Sequence, residues 1–284
     1  IAQGDTEQAI REFDQALQLD PGYLDAHNNR GYALLVLKRY DDAVTSLTRV
    51  IELDPTYVNA WNNRGLAQQA AGRLAEAVAD FSHAITLEPT QTKYYLHRRE
   101  ALEALGRLDE ALADLEHANW LDKLGVVNRR VAAEPENAAA WRERAEHLLQ
   151  GRRCEPALAD VRRALELTPS ESPDRSRLHV RTAQIELTMG HSEQAIESAS
   201  RAIGAEHAEL AHSVRGEAHL QLGNFAAAIE DFRLARRLDP LVQHAYEQEA
   251  ARLERSGQVQ QAGYFREQAE ALRPNRLIQT AAHE

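Results

Sequence analysis

The sequence predicts an all-α array of stacked helical hairpins, and three observations predict it. Pro21, Pro55 and Pro89 stand 34 residues apart, as do Pro135 and Pro169, and Pro240 and Pro274. A fixed period of that length is one supersecondary unit repeated, each too small to bury its own apolar face and so stacked on the next. Between the prolines, apolar and small residues recur at intervals of three and four, the spacing of an amphipathic helix. Glycines such as Gly72, Gly106 and Gly223 divide the period in two, where a left-handed residue ends one helix before another begins.

The stretch from Ala60 to Pro89 shows the unit most clearly. Trp61, Arg64, Gly65 and Gln68 open one helix and Gly72 closes it. Ala77, Phe81, Ala84 and Ile85 mark a second, which Pro89 cannot continue. These residues resemble the tetratricopeptide repeat family, whose pattern is an aromatic, a small residue, then Gly-Tyr-x-x-Ala, Phe, Ala and Pro over about 34 residues. The resemblance covers about nine tenths of the chain and implies a right-handed superhelical solenoid of antiparallel hairpins, about seven and a half repeats.

Residues 1–20, with Gly4, Ala9, Phe13 and Ala16, correspond to a second helix alone. The stripe of Ala9, Ile10, Phe13 and Leu17 would face water without a preceding helix, so further residues before Ile1 are expected, and an open N-terminal face available for self-association. Full units follow at 24–57 (Gly31, Ala43, Leu47, Pro55) and 58–91, with a weaker copy at 92–122 (Tyr95, Gly106, Ala111, Ala118). The register then slips by about twelve residues. Leu121, Leu124, Val127 and Val131 keep helical spacing through the slip, so 123–137 is either an added helix or an extension of the one before. Units resume at 138–171 (Trp141, Ala145, Ala157, Ala164), 176–208 (Gly190, Ala195, Ala202), 209–242 (Gly216, Gly223, Ala228, Phe232, Ala235) and 243–274 (Tyr246, Gly257, Ala262, Ala269). Glu171 to Asp174, with Pro173, reads as a longer loop. The organisation is thus a first block at 1–122, an insertion at 123–137, a second block at 138–274 and a tail at 275–284. Arg252, Glu254, Gln260, Gln261, Arg266 and Glu267 give the last hairpin a polar surface suited to capping.

Composition narrows the function classes. A net charge of −11 argues against a nucleic-acid partner, which would want a basic stripe. Apolar runs are only a few residues long, so no membrane insertion is expected. Cys154 is the only cysteine, which forbids an internal disulfide and leaves the compartment of a soluble chain open between cytoplasm and periplasm. No phosphate-binding glycine loop, Gly-x-Ser-x-Gly elbow or His-Glu-x-x-His motif is present, so no catalytic residue, cofactor or metal is expected. His27, His179 and His212 occupy the aromatic slot of their units and read as packed rings, while Cys154 reads as a small buried thiol.

In the resembled family the first helices line a concave groove that receives extended peptides or partner helices. Carried over, that face gives Asn28, Asn29 and Tyr32, then Asn62, Asn63 and Leu66, then Lys93, His97 and Glu100. It continues with Arg142, Glu143 and Glu146, and with Arg177, Arg181 and Gln184. Asn29 and Asn63 resemble rungs of the asparagine ladder of some members, since an amide can grip a peptide backbone with both donor and acceptor. A clamp for a chaperone C-terminal carboxylate is rejected, because Glu143 and Glu146 stand where asparagines would be needed. Arg30, Arg64, Arg98, Arg144 and Arg215 recur before the glycine-like slot and are expected to pair with acids of neighbouring units, drawn from Asp14, Asp80, Asp114, Asp160 and Asp231. The reading is a non-catalytic protein–protein interaction scaffold that binds a protein or peptide partner. Two others stay open: the substrate-recruiting or regulatory arm of a larger enzyme whose catalytic domain lies outside this chain, and a self-assembling module.

Overall fold

Fifteen α-helices make up the described residues, 3–273, of the computed structural model, and no strand occurs among them. Ile1, Pro274 and the expected 275–284 tail lie outside the described residues. The chain divides into two compact units, Ile1–Gly125 and Val126–Glu284. The first holds α1 (Gln3–Leu19), the hairpin α2 (Leu24–Val36) with α3 (Tyr40–Leu53), the hairpin α4 (Val58–Ala70) with α5 (Leu74–Leu87), and α6 (Thr92–Ala104). The boundary falls inside α7 (Leu108–Ala133). The second unit continues with α8 (Ala138–Gln150), α9 (Cys154–Leu167), α10 (Asp174–Thr188), α11 (Ser192–Ser200), α12 (Ala208–Gln221), α13 (Phe225–Leu234), α14 (Pro240–Arg255) and α15 (Val259–Ala271). From α1 to α6, and from α8 to α15, each helix packs on the next. The first helices of successive hairpins also touch, α2 with α4, α4 with α6 and α10 with α12.

Of the two alternatives for the insertion, the structure takes the extension: α7 is one helix of 26 residues. No proline interrupts it, and the glycine it contains, Gly125, costs a helix only about 1 kcal/mol. The expected loop at Glu171–Asp174 is shorter at its end than predicted, because Asp174 is already the first residue of α10.

Local chemistry explains the turns. Gly72 sits at φ +80°, where its N–H donates to the Gln69 carbonyl (3.0 Å) and that of Arg73 to the Gln68 carbonyl (2.9 Å), satisfying the open end of α4. After α8 the same left-handed place falls to Arg152 (φ +55°), although Gly151 stands beside it at φ −84°. Between hairpins, a slot residue on the first helix reaches back six positions to a proline carbonyl. Trp61 and Trp141 donate from Nε1 to Pro55 and Pro135 (both 2.8 Å), and Tyr95 donates from its hydroxyl to Pro89 (3.0 Å). His27 Nε2 makes the corresponding bond to Pro21 (3.0 Å). His212 departs from the expectation of simple ring packing, since its Nδ1 turns to Asp231 Oδ1 at 2.8 Å.

The two helices of a hairpin cross where a glycine admits a large side chain from the other. A Cβ on Gly31, Gly65 or Gly216 would stand 2.5 Å from Leu47 Cγ, 2.6 Å from Phe81 Cε1 or 2.7 Å from Phe232 Cδ1. Leu47, Phe81 and Phe232 are wholly buried, as are Ala43, Ala77, Ala84 and Ala228 around them. Gly65→Ala should therefore destabilise by about 1–3 kcal/mol through overpacking. Gly263→Ala, in a helix where a Cβ meets nothing within 4 Å, should stabilise by about 0.5–1 kcal/mol. Urea unfolding of the two variants beside the parent chain measures both.

Candidate functional site

The expected arginine ladder is present, with a different wiring. Arg64 donates from Nε and Nη2 to Asp80 of α5 (2.8 and 2.7 Å) and from Nη1 to Thr48 of α3 (3.1 Å). Arg98 does the same with Asp114 and Ser82, Arg144 with Asp160 and Asn128, and Arg215 with Asp231 and Ser200. The acid belongs to the arginine's own hairpin, which corrects the expectation of acids from neighbouring units; a hydroxyl or amide supplies the link to the preceding second helix. Arg30 alone reverses the order, taking Asp14 of α1 and Ser46 of α3. The Arg64 and Arg144 guanidiniums also lie 5.0 and 4.9 Å from the ring centres of Trp61 and Trp141. Burial pushes the Asp231 carboxyl up, but hydrogen bonds from Arg215 and His212 outweigh it and hold the group below its ordinary value. The ladder is architecture.

The asparagines of the first unit are wired to one another. His97 Nδ1 lies 2.7 Å from Asn62 Oδ1, and Asn62 Nδ2 donates to Asn63 Oδ1 at 3.3 Å. Asn63 Nδ2 donates to Asn28 Oδ1 at 3.1 Å, and Asn28 Nδ2 to Asn29 Oδ1 at 3.3 Å. Asn28 and Asn62 are only 7% and 6% exposed, which removes them from the candidate contact face: their amides join first helices across hairpins. What the face presents is Asn29, Lys93 and Glu100, all exposed, and Tyr32, 52% exposed. Asn63, His97 and Leu66 are half-buried, Leu66 against the Phe81 and Ala101 cluster. Burial pushes the His97 imidazole below its ordinary value; Lys93 adds to the effect and Glu100 opposes it. Elsewhere, burial and the nearby Asp25 carboxylate push the Tyr57 hydroxyl up to about 12.

In the second unit the structure gathers Arg142, Arg177 and Arg181 around one open cavity of about 710 Å³. Glu143, Glu146 and Gln184 share its walls. Arg181 donates to Glu146 through Nε at 2.9 Å and also through Nη2, and to Gln184 at 3.1 Å. Sequence reasoning missed Arg130, His207 and Leu210, which line the same cavity. Arg130, paired with Glu143, comes from the extended end of α7, a segment outside the repeat register, so no motif marked it. Cys154 is half-buried at the start of α9, more open than the buried thiol expected. Among the described residues no group of three His, Cys, Asp or Glu is placed to hold a metal, and no helix is long and apolar enough to cross a membrane.

Two family models described as tetratricopeptide repeat match the chain, one over residues 1–58, 127–172 and 180–241, the other over 58–91. Uncharacterized protein MJ0572 of Methanocaldococcus jannaschii is 45% identical over 40 residues, 14% of this chain and 46% of its own length. The chain therefore spans less than half of that relative. A solved structure described as "Crystal structure of MamA" is 21% identical, covering 58% of this chain and 89% of the other at a TM-score of 0.40. The first TPR of Spaghetti (RPAP3), bound to an HSP90 peptide, is 28% identical over 37% of this chain and 82% of its own, at a TM-score of 0.36.

Asp80→Asn should cost about 3 kcal/mol by leaving the Arg64 guanidinium uncompensated in a mostly buried site. Asp42→Asn, in an exposed pair with Arg39, should change stability by less than about 1 kcal/mol in the same urea titration. His97 gives a pH dependence. Its folded value lies below the ordinary 6.5, so the unfolded chain takes up the proton first. Its contribution is full above about 6.5 and declines as the pH drops toward the folded value. Thermal melts from about pH 7.5 to 5 should show a smaller loss in His97→Gln than in the parent chain.

Proposed function

The chain belongs to the tetratricopeptide repeat family, and from that premise we propose that it is a non-catalytic protein–protein interaction scaffold holding an extended segment or helix of a partner on its first-helix faces. The observation that carries this reading is the contact between successive first helices, α2–α4–α6 in one unit and α10–α12 in the other. Such contacts turn separate hairpins into continuous rows of outward side chains, a surface suited to chain-like ligands.

In the first unit the row offers a rigid amphipathic ring, Tyr32, beside the exposed Asn29 amide. Asn29 Oδ1 already accepts from Asn28, so the amide turns N–H donors toward a partner's carbonyls. A tyrosine adds contact area at low conformational cost because it has few rotatable bonds. In the second unit the arginine-lined cavity is the corresponding surface.

Asn63 is a poor test of this surface, since its loss would leave the buried Asn28 oxygen without its donor. Tyr32 is half-exposed and outside the amide chain. Affinity capture from the native lysate should recover a partner with the parent chain. Tyr32→Ala should weaken that capture about tenfold or more while circular dichroism and melting stay unchanged. Equal capture by both would move the contact off this row, and recovery of the chain alone would favour self-assembly.

A further inference from the structure

The cavity of the second unit carries more charge than its own carboxylates answer. Four arginines line it, Arg130, Arg142, Arg177 and Arg181, against two glutamates. Both glutamates are already committed, Glu143 to Arg130 and Glu146 to Arg181. Arg142 reaches Asp174 only at 3.6 Å, beyond hydrogen-bond range, with the arginine side chain 38% exposed. Arg177 is exposed, and among the described residues its side chain has no ion-pair or hydrogen-bond partner. Two guanidiniums thus stand with open donors at one cavity, in a chain whose net charge is −11. Apolar Ala139 and Leu210, the latter 44% exposed, line the same cavity.

We infer that this cavity receives an extended acidic segment of a partner protein, with side-chain carboxylates on Arg142 and Arg177 and an apolar residue against Leu210. The inference rests on the scaffold reading above and names the chemistry of the ligand for one of its two surfaces. Charge complementarity selects the occupant: a planar guanidinium with open donors matches a carboxylate by paired hydrogen bonds, whereas a neutral or basic segment would leave that charge unanswered. A nucleic acid fits less well, because its evenly spaced phosphates would have to pass Glu143 and Glu146. Discrete carboxylates on a flexible segment can instead meet Arg142 and Arg177 singly, with Glu143 and Glu146 already neutralised by Arg130 and Arg181. Arg181 and Arg130 serve as braces that hold the wall.

The test uses the full chain and a fluorescent octapeptide of glutamate, leucine and glycine, blocked at both ends so that no terminal carboxylate is present. Binding is read by fluorescence anisotropy at low and raised salt. The acidic peptide should bind at least about tenfold more tightly than its glutamine counterpart, and raised salt should weaken it. Arg177→Gln and Arg142→Gln should each lower the affinity about tenfold with helicity unchanged, while Asp42→Asn, in the exposed pair with Arg39 of the other unit, should leave it unaltered. Equal binding of the two peptides, no binding of either, or indifference to both arginine variants would overturn the inference. A single-stranded oligonucleotide of equal charge that binds better than the peptide, and loses affinity in the same variants, would assign the cavity to nucleic acid instead. If a partner is captured through Tyr32 while the acidic peptide does not bind, the scaffold reading stands and the acidic specificity falls. If neither binds, both fall.

Discussion

An arginine on the first helix of five of the seven hairpins sets the spacing on which the rest of the array depends. Arg64 reaches sixteen residues forward to Asp80 and sixteen back to Thr48, so a first helix is pinned between two second helices. The next pair of residues at the same offset, Gly65 and Phe81, packs so closely that a Cβ on the glycine would stand 2.6 Å from the ring. Arg215–Asp231 and Gly216–Phe232 repeat the arrangement in the second unit. The polar and apolar halves of the contact enforce one register. A slip by one position would bury the aspartate without its guanidinium and drive a ring into backbone. A buried ion pair adds little net stability over a well-packed apolar pair, but breaking it costs several kcal/mol, on the order of 3–5. Its effect is to penalise wrong registers, which a chain of similar hairpins offers in abundance.

That internal wiring decides which polar groups remain for a partner. The asparagines at 28 and 62 carry the chemistry of a peptide grip, yet their amides close a chain running from His97 to Asn29. Buried amides in such a chain hold first helices together, and breaking it would strand a donor or acceptor away from water. In the second unit Glu146 and Arg181 neutralise each other in the same way. Among the groups that the wiring does not use are Tyr32, Glu100 and the open side of Asn29 in one unit, and Arg142 and Arg177 in the other. On the proposed reading, recognition chemistry is what remains after the architecture has been satisfied.

The hairpin array was legible in the sequence because its causes are local. Proline at a fixed interval, glycine at the left-handed turn and apolar residues at helical spacing each act within a few residues, and each recurs often enough to be read without tertiary information. The aromatic slot was legible for the same reason, since Trp61 and Pro55 lie six positions apart. The arginines could be picked out by recurrence, though not their wiring: an acid sixteen residues ahead and a hydroxyl sixteen behind look equally available along the chain.

What the sequence by itself determined is the repeat, the helical hairpin and the family. Only the tertiary structure decided that α7 runs unbroken through the insertion, that Asn28 and Asn62 face inward, and that Arg152 rather than Gly151 takes the left-handed turn. It also brought Arg130 beside Arg142, Arg177 and Arg181. The physical reason is common to all four. Each outcome depends on which neighbour occupies the space across a helix–helix contact, and periodicity specifies that a face exists without specifying what it meets.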